Sequence, residues 1–140
     1  MTELKCHVGI GQCVEGEALV ARDNFSARYD LDLTKGIFSR PNHDLTGESY
    51  VDKVLVFNTA KGGVASAWML NGMRGTGLCP AGILFNNANT ILAQGAALAG
   101  LTMVDRFEDG DVTDLIRSGD RIRVDPENGV VTILERRSAD

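Results

Sequence analysis

The chain has 140 residues, 44% of them hydrophobic and 24% charged, which suits one globular domain spanning residues 1–140. The formal net charge is −5 and the basic residues are scattered, so we expect neither nucleic acid nor an anionic membrane surface as a partner. The N-terminus lacks a signal-peptide pattern, and no apolar run approaches the roughly 18 residues of a membrane span. We therefore expect a soluble cytoplasmic protein.

The three cysteines, Cys6, Cys13 and Cys79, follow neither a CxxC pattern nor any other metal-ligand spacing. Their number and spacing indicate neither a disulfide framework nor a zinc or iron–sulfur site. We expect reduced thiols, as in the cytoplasm, and no metal ligands in this chain.

The first part of the chain combines two predicted strands with a long polar segment. Alternating apolar residues near positions 5–10 and 17–21 predict the strands. Residues 22–49 are polar and rich in turn residues, and a loop this long is either functional or a surface excursion with a couple of short strands. His43 beside Asp44 is suited to acid–base chemistry, although a lone histidine in a turn is more often structural.

A strand, a glycine turn and a helix are predicted in the middle of the chain. Residues 54–57 (VLVF) are apolar and charge-free, which predicts a central strand buried on both faces. Residues 58–63, which include Lys61, Gly62 and Gly63, then form a tight turn, and apolar spacing predicts a helix from about Val64. The free N–H groups of such a helix start favour an anion, but an ordinary strand-to-helix connection has the same pattern.

A second unit of the same kind follows. Residues 81–85 predict another buried strand, residues 90–98 a helix that Gly100 ends, and residues 101–104 a third strand. This alternation is typical of a parallel α/β sheet with right-handed crossovers.

The end of the chain predicts an antiparallel hairpin. Residues 121–125 and 130–134 flank the turn sequence Pro-Glu-Asn-Gly, and residues 136–140 should fray. The fold class that follows is α/β, with a mixed, barrel-like sheet that has a parallel core and two helices packed against it.

Several segments together resemble the small, swivelling subunit of aconitase X, a hydro-lyase branch of the aconitase superfamily. The resemblance covers nearly the whole chain. The matching segments are residues 16–17 (GE) in a first hairpin, 24–26 (NFS), 43–49 (HDLTGES), 53–57 (KVLVF), 80–85 (PAGILF), 91–96 (ILAQGA), 103–105 (MVD) and 118–125 (SGDRIRVD).

The resemblance implies a swivelling β/β/α domain that caps a large catalytic subunit holding an iron–sulfur cluster. Family activities include dehydration of cis-3-hydroxy-L-proline and of phosphorylated mevalonate. We expect the small subunit of a heteromeric dehydratase that converts cis-3-hydroxy-L-proline to a pyrroline-2-carboxylate, because the sequence shows no basic cluster for a phosphate. The alternatives are a mevalonate 5-phosphate dehydratase small subunit and a noncatalytic docking module.

The resemblance also assigns site residues. The family has a serine directly after the glycine turn, where it removes a proton next to a carboxylate, but ungapped counting puts Gly63 at that position. The nearest hydroxyl is that of Ser66, so either Ser66 is the catalytic base or the large subunit supplies one, and Ser66 is then an ordinary helix residue. Lys61 is a candidate for binding a substrate carboxylate or is solvent-facing. The other candidates for lining the substrate cleft are Gly62, Gly63, Ser26 and His43.

Overall fold

The computed structural model describes residues 2–7, 9–21, 31–32, 35–38, 45, 47–59, 72, 77, 79–88 and 90–136. Its strands are β1 (Thr2–Lys5), β2 (Val14–Val20), β3 (Leu31–Asp32), β4 (Ile37–Phe38), β5 (Val54–Thr59), β6 (Gly82–Asn87), β7 (Thr102–Val104), β8 (Arg121–Asp125) and β9 (Val130–Glu135). Its helices are α1 (Thr90–Ala99) and α2 (Val112–Leu115).

Seven strands form one mixed sheet in the order β1-β9-β8-β2-β5-β6-β7. The strands β2, β5, β6 and β7 run parallel to one another, whereas β1, β9, β8 and β2 form antiparallel pairs. β3 and β4 form a separate two-stranded ribbon. The α/β class and the mixed sheet with a parallel core, both predicted from the sequence, are therefore confirmed.

The segment after β1 closes this sheet into a barrel. Cys6 bridges Phe107, and Ile10 bridges Met103 at the other end of the strand order. Ile10 and Met103 exchange two backbone hydrogen bonds of 2.9 Å each. Gly9 is required here because a Cβ atom at this position would lie 2.2 Å from the carbonyl oxygen of Met103.

The strands of the parallel half separate two apolar cores. In β5, Val54 and Val56 face the barrel interior, where all seven strands contribute side chains, while Leu55 and Phe57 face an outer core beneath α1. All four side chains are 0% exposed. This alternation confirms that residues 54–57 form a central strand buried on both faces.

The other predicted elements of the parallel half are also present. The strand predicted over residues 81–85 is β6, and the predicted helix is α1. Gly100 ends α1 with a φ of 71°, a left-handed conformation that glycine adopts without a steric penalty. The hairpin at the end of the chain is β8 and β9.

The strand predicted over residues 17–21 is present as β2, but the bounds of the first strand and the hairpin pairing were wrong. β1 and β2 do not form a first hairpin, because β1 pairs with β9 and β2 lies between β8 and β5. The strand predicted near residues 5–10 is instead the closing segment. Gly11, with a φ of 93°, interrupts regular strand geometry there.

The described part of the long segment 22–49 contributes to the outer core. Phe38 is fully buried and Leu45 is 6% exposed, both lie in the outer core, and the Phe38 ring lies 6.0 Å from the ring of Phe57. The segment is therefore more than a polar surface excursion. Helix α2 was not predicted. Of the helix predicted from about Val64, the structure describes only Gly72, which is helical.

Candidate functional site

The parallel strands end side by side in polar residues. β5 ends with Asn58 and Thr59, and β6 ends with Asn86 and Asn87; Thr59 is paired with Asn87. Asp105 directly follows β7. Because ligands of α/β sheets bind at the carboxyl ends of parallel strands, this edge is the candidate site.

Three side chains at this edge form an amide layer, which we define as Asn58, Asn86 and Asp111. Asn58 and Asn86 have the same strand parity as Val56 and Leu84, so they cover the end of the apolar barrel interior. Nδ2 of Asn86 donates to Oδ1 of Asn58 at 3.0 Å and to Oδ1 of Asp111 at 2.8 Å.

Asp111 connects the amide layer to α2. Besides accepting from Asn86, its Oδ1 accepts from the Thr113 amide at 2.9 Å and from the Thr113 hydroxyl at 2.6 Å. The Val112 amide donates to Oδ1 of Asn86 at 2.7 Å. These bonds satisfy N–H groups that the start of a helix leaves without partners.

Arg106 follows the end of β7 in a strained backbone conformation. Its φ is 58°, which is uncommon for a residue with a side chain and is frequent near functional sites. Its amide donates to the carbonyl of Asn86 at 3.0 Å. Its Nε lies 3.9 Å from Oδ2 of Asp105 and its side chain is 62% exposed, so the guanidinium is accessible to a ligand.

A cleft of about 560 Å³ opens beside the amide layer. Its lining residues are His7, Asn86, Asn87, Arg106, Phe107, Glu108, Gly110 and Asp111. Arg106 carries a permanent positive charge and Asn87 carries amide donors, both of which suit a carboxylate or phosphate group. Asp111 and Glu108 add two carboxylates to the same lining.

Cys6 lies next to His7 in the closing segment. Burial, with a smaller contribution from the negative charge of Asp105, raises the pKa of its thiol from 9.0 to about 11. At neutral pH the thiol is therefore protonated, and Cys6 is a poor nucleophile.

All six site residues predicted from the sequence lie outside the described residues: Ser66, Lys61, Gly62, Gly63, Ser26 and His43. β5 ends at Thr59, so the sequence enters the predicted glycine turn from the polar edge. Sequence reasoning missed Asn86, Arg106, Asp111 and His7. A usable signal existed for Asn86, since it follows a buried apolar run just as Asn58 does.

The described residues do not fit an iron–sulfur cluster. Cys6, Cys13 and Cys79 are free, and in this part of the chain no three histidine, cysteine, aspartate or glutamate side chains come together as metal ligands. Among the described helices, none is both long and apolar enough to cross a membrane.

A closed mixed barrel with a polar edge on its parallel half is the architecture of swivelling β/β/α domains. The crystal structure of Thermococcus kodakaraensis aconitase X in its holo-form matches with a TM-score of 0.89 and 30% identity, covering 96% of this chain and 100% of that chain. The solution NMR structure of a UPF0107 protein matches with a TM-score of 0.86 and 30% identity, with the same coverage.

Sequence comparison agrees with the structural matches. The phosphomevalonate dehydratase small subunit of Thermococcus sibiricus is 36% identical over 125 residues, which are 89% of this chain and 93% of that protein. The corresponding subunit of Methanothrix thermoacetophila is 33% identical over 131 residues, 94% of each chain. The family description "Aconitase X swivel domain" matches residues 3–133. The chain therefore belongs to the aconitase X swivel-domain family, and it is a subunit of a hydro-lyase of the aconitase superfamily.

Proposed function

We propose that the chain is the small subunit of a phosphomevalonate dehydratase and acts with a large catalytic subunit in the cytoplasm. The observation that carries this proposal is the 36% identity to the Thermococcus sibiricus subunit of that name, over 93% of its length. The specificity for cis-3-hydroxy-L-proline expected from the sequence has no support among these relatives. The alternative stated with it, the phosphorylated mevalonate, has that support.

The fold also weakens the argument that the chain cannot bind a phosphate because its sequence has no basic cluster. The sequence shows no local basic cluster, but His7 and Arg106 come from distant parts of the chain and line the same cleft. The guanidinium of Arg106 and the amide of Asn87 are donors that a phosphate accepts from. These donors support a phosphorylated substrate, although Glu108 and Asp111 line the same cleft and the sequence has no local basic cluster.

The proposed reaction removes water from a hydroxy acid. A base takes a proton from the carbon next to the carboxylate, and the electrons of that C–H bond form a double bond to the neighbouring carbon. The hydroxyl leaves that carbon with the electrons of its C–O bond as hydroxide, and with one proton it is released as water. In this proposal Ser66 is the base, and Lys61 with the amides of Gly62 and Gly63 holds the carboxylate, whose negative charge grows in the transition state. Ser26 and His43 are proposed to contact the substrate as well, as the resemblance implies. The large subunit holds the iron–sulfur cluster.

The test is activity of the assembled complex. The chain is co-expressed with the large subunit from the same source, reconstituted with iron, and incubated separately with phosphomevalonate and with cis-3-hydroxy-L-proline. We expect dehydration of phosphomevalonate, followed by NMR and by mass spectrometry. Conversion of cis-3-hydroxy-L-proline without conversion of phosphomevalonate would overturn the proposed specificity.

The base is tested with Ser66→Ala in the same complex. Loss of a general base lowers kcat by about 10²–10⁴-fold, while KM changes little. Ser49→Ala is the matched control, because the Ser49 hydroxyl accepts a local bond from the Val51 amide, at 3.3 Å, and Ser49 is not among the residues that line the described cleft. Undiminished turnover in Ser66→Ala would assign the base to the large subunit.

A further inference from the structure

The Asn86 side chain connects parts of the molecule that are distant in sequence. It donates to Asn58 at the end of β5 and to Asp111 before α2, and it accepts from the Val112 amide. One half-buried amide therefore holds the end of β5 against the first residues of α2.

The hydrogen bonds also fix which way this amide faces. Because Val112 offers an N–H group, the atom that accepts it must be the oxygen of Asn86. The nitrogen of Asn86 is then the donor to both Asn58 and Asp111, and each of these offers an oxygen to it. A flipped Asn86 amide would lose the bonds with the Val112 amide and the Asp111 carboxylate, so a single orientation is favoured.

We propose that Asn86 is a positioning residue that acts through Asn58 to fix the carboxyl end of β5, Asn58–Thr59. The inference rests on the proposed function in one respect. The sequence continues from Thr59 into the glycine turn, which we propose binds the substrate. Small displacements of groups that hold a substrate are costly, since about 1 Å of misplacement lowers rates by about 10²-fold.

The Asn86–Asn58 bond is suited to this role because its loss is local. Phe57 and Phe85 precede the two asparagines, are fully buried, and hold β5 and β6 in register. Loss of the Asn86–Asn58 bond leaves the strands paired, with Thr59 still opposite Asn87, so its effect should be confined to the carboxyl end of β5. Asn86→Ala also removes the bonds with Asp111 and the Val112 amide, so Asn58→Ala is the more selective variant. The barrel as a whole should remain folded.

Three variants and a control test the inference in the full chain and in the complex. Asn58→Ala and Asn86→Ala remove the bond, whereas Asn58→Asp keeps an oxygen that accepts from Asn86. The control is Thr102→Val, which removes the 2.6 Å bond from the Thr102 hydroxyl to the Gln12 carbonyl at the amino end of β7, the opposite edge of the parallel sheet.

The first measurement does not depend on activity. We expect amide hydrogen exchange at Asn58 and Thr59, followed by NMR, to accelerate about 5- to 10-fold in both alanine variants, which corresponds to loss of roughly one hydrogen bond. Asn58→Asp and Thr102→Val should exchange like the wild type. Unchanged exchange in Asn58→Ala and Asn86→Ala would overturn the inference, whatever the activity.

The second measurement is the kcat and KM of the complex. Both alanine variants should lower kcat about 10-fold with a smaller change in KM, while Thr102→Val keeps the wild-type kcat. An equal fall in Thr102→Val, or none in the alanine variants, would refute a role in catalysis. A wild-type complex that dehydrates neither substrate would refute the proposed function instead, and hydrogen exchange would still decide the positioning role.

Discussion

Arg136 is bound to a carboxylate inside the protein, although the sequence predicts that the chain frays from this residue. Its Nη1 lies 3.1 Å from Oδ2 of Asp120, which is fully buried. The same Asp120 oxygen accepts from the Arg117 amide at 2.9 Å, and Nη1 of Arg136 also donates to the Leu115 carbonyl at 3.2 Å. The residue after β9 is thereby held to the turn that precedes β8.

Replacing Arg136 with alanine should lower the free energy of unfolding by about 1–2 kcal/mol, since the buried Asp120 keeps only part of its hydrogen bonding. Urea denaturation of the full chain measures the loss. Arg123→Ala is the control, because Arg123 pairs with Glu15 on the surface, where both side chains are more than 40% exposed, and such pairs contribute about 0.5 kcal/mol. Equal losses in the two variants would contradict a special role for Arg136.

The Cys6 thiol should make stability fall in alkaline solution. Its pKa is 9.0 when unfolded and about 11 when folded, so the folded state binds the proton more tightly. The folding stability that the protonated thiol contributes is complete below pH 9 and is lost as the pH rises through 11. The stability difference between the wild type and Cys6→Ala should therefore shrink across this interval in urea denaturation.

The charge of Asp105, the smaller cause of the raised pKa of Cys6, can be tested separately. Asp105→Asn removes the carboxylate charge near Cys6, so the pKa of the thiol should fall part of the way towards its ordinary value, because burial is the larger cause. Thiolate absorbance during a pH titration measures it. A Cys6→Ala variant with the same alkaline decline as the wild type would contradict the assignment.

Replacing Arg106 with glycine should raise the stability of the chain but weaken substrate binding. Arg106→Gly relieves the φ of 58° and should stabilise the chain by up to about 1 kcal/mol. It also removes a cation from the cleft, so we expect the KM of the complex for phosphomevalonate to rise about 10-fold, the value of one charge-assisted hydrogen bond.

Asp52 provides the matched control for this variant. It has a similar φ of 60° and is not among the residues that line the cleft. Asp52→Gly should give a similar gain in thermal stability with wild-type KM. If KM rose equally in both variants, or in neither, Arg106 would have no part in substrate binding.

Gly9 should tolerate no side chain. In Gly9→Ala the new Cβ would lie 2.2 Å from the Met103 carbonyl oxygen, a backbone atom in the barrel, so we expect a loss of about 3 kcal/mol. Gly77→Ala is the control: no heavy atom lies within 4 Å of its Cβ position, and only its φ of +78° is unfavourable, with a cost of about 1 kcal/mol. Thermal unfolding of both variants distinguishes the two costs.

The parallel half of the fold was predictable because its signals are local. An apolar run without charges, such as residues 54–57, specifies a buried strand by itself, and Gly100 marks the end of α1 by its own backbone preference. The pairing of β1 was not predictable, since its partner β9 lies at the other end of the chain. Helix α2 spans four residues, too few to show helical periodicity.

The candidate site was less predictable than the parallel strands, because its residues come from distant parts of the chain. Asn58 adjoins a recognisable strand and turn, whereas Asn86 acquires its role only from contacts with Asn58 and Asp111. His7 and Arg106 line one cleft because the closing segment brings the start of the chain to β7. Contacts of this kind depend on the complete topology and have no local sequence pattern.

The closing segment also limits how the chain can associate. With Ile10 bridged to Met103, the segment after β1 is joined to β7, and the described seven-stranded sheet has few open edges that could template another strand. A large subunit therefore has to recognise side chains and connecting loops instead of extending the sheet. The same closure should protect the chain from edge-to-edge aggregation before it binds the large subunit.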